Sequence, residues 1–308
     1  MQQSGRSVNL VRELYRQGPS YVFAKKPGEI AEEFGFSQVA RLASNENPFG
    51  PSPFAINEIN KAIDTINRYP DTTQPDLIHA LEKFHGKYSF VTGAGMDGVI
   101  ETCIRAIVNP GDKVAVSTPT FSFYGLATAA QGGTVENVPR NAEFSVDISS
   151  FISSARDAKI SFLCTPNNPS GTVTPVSDIE EILRNINGIL FLDNAYVEFS
   201  AEEYRPLMND YENLIIGRTM SKVFGLAGCR VGYAFVPGWF RQVYEKAATP
   251  FALNNLSAAA ATGALQDQEF LDKTISFVKK WRDIFTREAG RQVLSSGANF
   301  VMVDVSPF

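Results

Sequence analysis

Histidine, cysteine and long apolar segments are scarce in this chain of 308 residues, and each scarcity excludes a class of protein. The two histidines, His79 and His85, form no cluster with cysteine that has the spacing of a metal site, so we expect no bound metal. The three cysteines form no C-x-x-C pair, which argues against a redox motif or a disulfide framework. No apolar run has the ~20 residues that a membrane helix needs.

Basic charge is also in deficit, with 28 lysines and arginines against 33 acidic residues and a net charge of −5. Because a nucleic-acid-binding protein usually presents a basic surface, we expect no nucleic-acid partner. The segment Met1–Leu10 is polar and has no apolar h-region, so we expect no signal peptide. Free cysteines within apolar runs fit a reducing compartment, and we expect a cytoplasmic location.

From about Phe90 onward, short β-rich runs alternate with longer runs of helical periodicity. This alternation, with continuously apolar strands, predicts an α/β fold in which helices cover both faces of a mostly parallel sheet. The predicted strands are Val114–Ser117, Ile160–Cys164, Ile189–Leu192, Leu214–Ile216 and Val231–Phe235. The helices predicted between them include Val99–Val108 and Ile179–Ile186.

The flanking regions have fewer strand signals. Helical spacing predicts helices at Val8–Gln17, at Ile56–Ile66 and through Phe270–Glu288. A last apolar run, Asn299–Val305, has the pattern of a strand.

The segment Gly93-Ala-Gly95-Met-Asp-Gly98 opens a predicted helix, and free backbone N–H groups at a helix start attract an anion. A dinucleotide site would also need an acidic residue at the end of the next strand. That strand ends in Ser117-Thr118-Pro119, so the pattern favours either a phosphate seat or a plain turn over a dinucleotide fingerprint.

Other polar residues also lie next to predicted strand ends, where open α/β sheets bind ligands. They are Asp193, Lys222, Arg230 and the amides of Thr165-Pro-Asn-Asn-Pro-Ser-Gly171. Each alone has an ordinary structural interpretation. Together with an anion seat, they are the set that pyridoxal phosphate (PLP) chemistry uses: a lysine for the Schiff base, an acid for the pyridine nitrogen and cationic groups for the phosphate.

The chain resembles the fold-type I PLP aminotransferases, and within them the histidinol-phosphate aminotransferase family. The motifs that carry the resemblance run in family order over about residues 40–235. They are Asn45-Glu-Asn-Pro-Phe-Gly-Pro-Ser-Pro53, Arg68-Tyr-Pro70, Pro119-Thr-Phe-Ser-Phe-Tyr124, Thr165–Gly171, Asp193-Asn-Ala-Tyr196 and Thr219-Met-Ser-Lys-Val-Phe-Gly-Leu-Ala-Gly-Cys-Arg230.

The resemblance implies a role for each matching residue. Lys222 would form the Schiff base with PLP and then move the substrate Cα proton as general base and acid. Asp193 would pair with the pyridine nitrogen, Tyr196 and Asn168 would hydrogen-bond the phenolic oxygen, and Phe121 would stack on the ring. The phosphate would be held by the backbone of Met96 and Asp97 and the side chains of Ser221 and Arg230.

The resemblance also implies a homodimer with shared active sites, in which Tyr69 reaches the phosphate of the neighbouring subunit's cofactor. Tyr21 and the Asn45–Pro48 segment, including Asn47, would lie near the substrate. The amino group would pass from a small-molecule donor to a 2-oxo acid.

The family fold implies a seven-stranded sheet in a large PLP-binding domain over residues 41–240. A small α+β domain would combine the arm 1–40 with residues 241–308. The family binds the substrate carboxylate through an arginine in a later strand of that small domain. No residue before Phe308 matches it, so we expect the natural protein to continue beyond Phe308.

The first functional hypothesis is transfer of the amino group of histidinol phosphate to 2-oxoglutarate, in histidine biosynthesis. Within the same family the alternatives are an aromatic amino-acid aminotransferase and an enzyme like threonine-phosphate decarboxylase. From other classes, a non-catalytic protein that binds PLP or another ligand and an NAD-dependent oxidoreductase remain open.

Overall fold

The computed structural model of the chain describes residues 10–21 and 25–306 and is built around one seven-stranded sheet. The strands are β1 (Phe90–Ala94), β2 (Lys113–Thr118), β3 (Thr134–Pro139), β4 (Ile160–Cys164), β5 (Ile189–Asp193), β6 (Leu214–Thr219) and β7 (Val231–Phe235). Their order in the sheet is β1-β7-β6-β5-β4-β2-β3. All five strands predicted within the alternating region are therefore present, and β1 and β3 are additional.

Four of the six strand pairings are parallel, so the mostly parallel sheet is confirmed. Strand β7 is the exception, since it runs antiparallel to both β1 and β6. This reversed direction was not predicted. Its first residue therefore lies at the sheet edge where the other strands end. This reversal brings Arg230, which precedes β7, to the same edge as residues that follow β5 and β6.

Helices cover both faces of the sheet, as predicted. The helices are α1 (Glu13–Gln17), α2 (Pro27–Phe34), α3 (Pro53–Ala62), α4 (Pro75–His85), α5 (Gly95–Ile107), α6 (Phe123–Gln131), α7 (Ile148–Ala155), α8 (Val176–Asn185), α9 (Gly238–Ala247), α10 (Asn255–Ala264) and α11 (Gln268–Glu288). In β5, Leu190 and Leu192 join a core shared with α4, α7, α8 and α10. Phe191 points the other way, into a core shared with α5, α6 and α9.

Several helices begin at a polar N-cap residue whose side chain accepts a hydrogen bond from the first turn. Ser52 Oγ accepts a hydrogen bond from Ala55 N–H at 3.1 Å at the start of α3, and Pro53 takes the first helical position. Asp147 and Asn254 cap α7 and α10 in the same way. No helix within residues 10–21 and 25–306 is both long and apolar enough to cross a membrane.

Two predictions at the chain ends need correction. The run Asn299–Val305 is not a strand, because within residues 10–21 and 25–306 its backbone makes one isolated bridge, Val293 with Val303, and pairs with no strand of the sheet. At the other end, the helix predicted over Val8–Gln17 begins at Glu13, while residues 8 and 9 lie outside the described residues. The division into domains stays a prediction.

Candidate active site

The polar residues predicted from strand ends meet in one cleft at the edge of the sheet where β5 and β6 end. The cleft has a volume of about 890 Å³. Ten of the twelve predicted site residues line it: Tyr21, Met96, Asp97, Phe121, Asn168, Asp193, Tyr196, Ser221, Lys222 and Arg230.

One end of the cleft is built to hold an anion. Strand β1 turns into α5 at Gly95, whose φ of +76° suits glycine, and the backbone N–H groups of Met96 and Asp97 are left without partners inside the helix. A Cβ on Gly95 would lie 2.5 Å from Arg230 Nη2, so glycine gives the guanidinium room to reach the helix start. Arg230 Nη2 lies 2.6 Å from Asp97 Oδ2.

The hydroxyl of Ser221 adds a further donor to this end. Ser221 is held by Thr219, whose Oγ1 donates to Ser221 Oγ at 3.0 Å and accepts from Ser221 N–H at 3.1 Å. By contrast, a Cβ at Gly98 would make only an ordinary 3.5 Å contact with Ala94 Cβ. The third glycine of the G-x-G-x-x-G pattern is therefore not required for space, whereas a dinucleotide fingerprint needs it for close helix packing.

Asp193 is a buried acid, 3% exposed, at the end of β5. The hydroxyl of Tyr124 donates to its Oδ2 at 2.6 Å and the N–H of Ala195 donates to its Oδ1 at 2.9 Å. Burial raises the pKa of Asp193 to about 6, although both hydrogen bonds act to lower it. Its carboxylate is thus ionised at neutral pH and suited to hold a protonated ring nitrogen.

Tyr124 is a site residue that the sequence analysis left without a role. It is fully buried in α6 and stacks on Phe162 of β4, with ring centroids 4.8 Å apart. Its place in the motif Pro119–Tyr124, beside Phe121, is the signal that could have found it, and the two rings lie edge to face with centroids 5.6 Å apart.

Lys222 extends into the cleft from the loop after β6. Its Nζ donates to the Ser44 carbonyl at 2.9 Å and lies 5.5 Å from the centre of the Tyr196 ring. Burial lowers the pKa of Lys222, and Arg230 adds to this effect, while Glu46 and Asp193 oppose it. A lowered pKa increases the fraction of neutral amine, which is the nucleophilic form.

Tyr196 is held by residues from both ends of the chain. Asn45 Nδ2 donates to its hydroxyl at 3.3 Å, and Asn299 Nδ2 donates to the Asn45 carbonyl at 3.0 Å. Phe300 packs edge-on against its ring, with centroids 5.1 Å apart. Burial raises the pKa of Tyr196, so its hydroxyl stays protonated and is available as a donor. Neither Asn299 nor Phe300 was predicted.

The two loops that carry Phe121 and Asn168 are joined through the buried amide of Asn167. Asn167 Nδ2 donates to the Pro119 carbonyl at 3.1 Å, and its Oδ1 accepts from Thr120 Oγ1 at 2.8 Å. Phe121 in turn meets the edge of the Tyr21 ring, with centroids 6.2 Å apart.

Two predicted residues do not line this cleft. Asn47 lies beside it, but its Nδ2 donates to the Val223 carbonyl at 3.0 Å and its Oδ1 accepts from Phe49 N–H, so its amide holds loops together. Tyr69 is 82% exposed and stacks on Phe251, with centroids 4.6 Å apart.

The chemistry of this donor set fits PLP. The helix start with Ser221 and Arg230 can bind a phosphate. The buried acid Asp193 can pair with a protonated pyridine nitrogen, and Lys222 can form a Schiff base with an aldehyde. A plain phosphate site would not need a buried carboxylate and a lysine of lowered pKa in the same cleft.

Comparison with known proteins gives the same result. The family model for aminotransferase class I and II matches residues 37–307. A histidinol-phosphate aminotransferase of Methanoculleus marisnigri is 56% identical over 298 residues, covering 97% of this chain and 85% of that protein. One from Methanocorpusculum labreanum is 55% identical over 288 residues, covering 93% and 82%.

Among solved structures, a crystal structure of histidinol-phosphate aminotransferase from Sinorhizobium meliloti in complex with pyridoxal-5′-phosphate superposes with a TM-score of 0.87. It is 28% identical in sequence, and the match covers 96% of this chain and 82% of that one.

Proposed function

The chain belongs to the class I and II aminotransferases, and from this we propose that it transfers the amino group of histidinol phosphate to 2-oxoglutarate with PLP as cofactor. The observation that carries the proposal is that Lys222, Asp193 and the anion seat formed by Met96 and Asp97 line one cleft. The names of the relatives from Methanoculleus and Methanocorpusculum, each above 50% identity, support the choice of amino donor.

Bound PLP supplies a ring that accepts the electron pair released at the substrate Cα. Asp193 serves this chemistry because its carboxylate, ionised above about pH 6, keeps a proton on the ring nitrogen. The hydrogen bond from Tyr124 holds that carboxylate in one orientation. The buried surroundings strengthen the interaction, since charges attract more strongly where water is excluded.

Lys222 carries the proton in the proposed reaction. With PLP bound, its Nζ would hold the cofactor, and as a neutral amine beside the substrate it would serve as the general base and acid that moves the Cα proton. The lowered pKa of Lys222 favours the neutral amine that this step requires. The Ser44 carbonyl and the Tyr196 ring limit where Nζ can move.

The remaining residues of the cleft bind and orient. The N–H groups of Met96 and Asp97, with Ser221 and Arg230, would hold the phosphate. Tyr196 and Asn168 would donate hydrogen bonds to the phenolic oxygen, and Phe121 would cover one face of the ring. Tyr21 lines the substrate side of the cleft against Phe121, and Asn47 would support the loop that carries Asn45.

Absorbance spectroscopy of the purified protein with added PLP tests the assignment of cofactor and lysine together. We expect a yellow band in the wild type, no such band in Lys222→Ala, and an unchanged band in the control Lys273→Ala, whose lysine lies over Phe49. A Lys222→Ala protein that keeps the band would contradict the role of Lys222.

A substrate panel tests the amino donor. We expect histidinol phosphate to bleach the yellow band and to yield glutamate in the presence of 2-oxoglutarate. Faster turnover of an aromatic amino acid would replace the proposed donor by that class, and release of CO2 from threonine phosphate would make the chain a decarboxylase. A stable yellow protein that turns over none of these compounds would support a non-catalytic binding role.

We also propose that the chain works as a homodimer with shared active sites. The exposed ring of Tyr69, stacked on Phe251 outside its own cleft, supports this arrangement. Sedimentation should give twice the chain mass. Mixing inactive Tyr69→Ala and Lys222→Ala proteins after dissociation should restore activity, because one site of each mixed dimer then has both residues. No recovery on mixing would contradict the sharing of sites.

The domain division and the location are proposals of the same kind. The position of all seven strands within residues 90–235 supports a large domain over 41–240 with the small domain drawn from 1–40 and 241–308. The free thiols of Cys103, Cys164 and Cys229 support a cytoplasmic location.

A further inference from the structure

A buried ion pair lies next to the cleft, on elements that carry cleft residues. Arg218 Nη1 lies 2.9 Å from Glu198 Oε1, and the two side chains are only 5% and 13% exposed. Arg218 belongs to β6 and directly precedes Thr219, which lines the cleft. Glu198 lies in the single 3-10 turn Val197–Phe199 that follows Tyr196.

The pair is part of a wider charged network away from the cleft. Glu203 Oε1 lies 4.0 Å from Arg218 Nη2 and also accepts from Arg205 Nε at 2.8 Å. Arg205 Nη1 reaches His85 Nδ1 at 3.1 Å. His85 Nε2 lies 2.8 Å from the hydroxyl of the buried Tyr233. Burial lowers the pKa of His85, with help from both arginines, so its imidazole is neutral beside Arg205.

The ion pair completes a two-point attachment of the segment Asp193–Phe199 to β6. At its start, Asn194 N–H donates to the Gly217 carbonyl at 2.9 Å. At its end, Glu198 meets Arg218. Tyr196 lies between the two attachments, and its carbonyl accepts from Phe199 N–H at 3.1 Å within the same turn. Moving Glu198 therefore moves the turn that follows Tyr196.

Stability alone is a weak explanation for this pair. Removing two charges from water is costly, and apolar residues of similar volume are often equally stable in such positions. An ion pair differs from an apolar contact in being directional, because the N–H of Arg218 Nη1 donates to one oxygen, Oε1 of Glu198. Because the pair joins the turn after Tyr196 to the strand that precedes Lys222, its geometry fixes these two segments relative to each other.

We propose that Glu198 and Arg218 are positioning residues that hold the Tyr196 hydroxyl in place relative to Lys222. This inference rests on the proposed function, because it assigns Tyr196 to the cofactor's phenolic oxygen. Neither residue of the pair lines the cleft, so both act through Tyr196 and the loop that follows β6.

The test compares Glu198→Gln with Glu203→Gln in the PLP-loaded protein. Both changes remove one negative charge beside Arg218, but Glu203 is 43% exposed and lies outside the Tyr196 turn. The first readout is the pH midpoint of the yellow band. Weaker donation from Tyr196 should move that midpoint to higher pH by up to about one unit in Glu198→Gln, with no movement in Glu203→Gln.

The second readout is steady-state kinetics. We expect kcat of Glu198→Gln to fall roughly ten- to a hundredfold with a much smaller change in KM, because misplacement affects the reacting geometry more than binding. In a Tyr196→Phe background, adding Glu198→Gln should leave the midpoint where Tyr196→Phe alone puts it. Equal shifts from Glu198→Gln and Glu203→Gln, or additive shifts with Tyr196→Phe, would overturn the proposal.

A second variant and the wild-type protein serve as controls for this test. If Glu198→Gln does not fold, Glu198→Asp keeps the charge and withdraws the carboxylate by one methylene, and its midpoint must move in the same direction for the proposal to stand. If the wild type forms no yellow band with PLP, the proposed function itself fails. A wild-type band with an unmoved midpoint in both Glu198 variants refutes the positioning role alone.

Discussion

Replacing Asp193 by asparagine is expected to make the cofactor-free protein more stable while abolishing its activity. The reason is that a buried carboxylate is costly to ionise. Folding raises the pKa of Asp193 from the usual 3.8 to about 6, chiefly by burial. At 1.36 kcal/mol for each pH unit, this gap corresponds to roughly 3 kcal/mol of stability lost on ionisation.

The asparagine side chain can keep both existing contacts of Asp193. Its oxygen can accept from Ala195 N–H, and its amide can donate to the hydroxyl of Tyr124. This reverses the bond, so the Tyr124 hydroxyl hydrogen loses Asp193 as its acceptor, and about 1 kcal/mol should be subtracted for it. We expect a gain of about 1–3 kcal/mol in the free energy of unfolding at pH 7.5.

The gain in stability of Asp193→Asn over the wild type should increase as the pH rises. Below pH 3.8 the carboxyl is protonated in folded and unfolded chains alike, so its neutral form costs the folded protein nothing. As the pH rises through about 6, the wild type loses stability that Asp193→Asn retains. The gain should be about half complete at pH 5 and should level off above about pH 7.

Denaturant unfolding of the cofactor-free proteins at pH 5, 6 and 7.5 measures this gain. Asp97→Asn is the matched control, because it removes a half-exposed carboxylate of the same cleft whose ion pair with Arg230 is worth at most ~1 kcal/mol. An Asp193→Asn protein that is less stable than wild type at pH 7.5, or equally stabilised at every pH, would refute the reasoning.

Two other predictions concern the same cleft. Tyr124→Phe removes a hydrogen bond that lowers the pKa of Asp193, so the acid limb of the kcat/KM profile should move to higher pH by about one unit; an unmoved limb would separate Tyr124 from Asp193. Gly95→Ala places a Cβ 2.5 Å from Arg230 Nη2 at a φ of +76°, so the affinity for PLP, measured by titration, should fall roughly tenfold or more, while Gly98→Ala should leave it unchanged. Equal losses in the two glycine variants would argue against the anion seat.

Much of the sheet could be predicted from the sequence because buried strands have a local signature. The strands Ile160–Cys164 and Val231–Phe235 were predicted with both ends correct. The first is a short apolar run between Lys159 and Thr165, and the second begins after Arg230 and ends shortly before Pro237. The residues beside strand ends could be predicted for a related reason. A sheet of this class brings its carboxyl ends to one edge, so motifs far apart in the chain converge.

The strand predicted at Asn299–Val305 was wrong because a local pattern does not show whether a partner strand lies beside it. The segment is an apolar run, but a strand exists only where a neighbour satisfies its backbone, and the described residues supply one bridge. The segment instead places Asn299 on Asn45 and Phe300 on Tyr196. These contacts join residues about 100 to 250 positions apart, and no local pattern encodes them.

The α/β class, the lysine candidate Lys222, the acid at the end of β5 and the glycine at the start of α5 can be read from the chain alone, because each depends on short-range periodicity or on residue type. The pKa values of these groups and the contacts that hold them depend on how the chain packs. The pKa of Asp193 follows from burial and from Tyr124, which lies 69 residues away in the chain. The attachment of the Tyr196 turn to β6 through Glu198 and Arg218 likewise depends on which strands become neighbours. Burial and charge proximity are properties of packed space, so they arise only when the chain has folded.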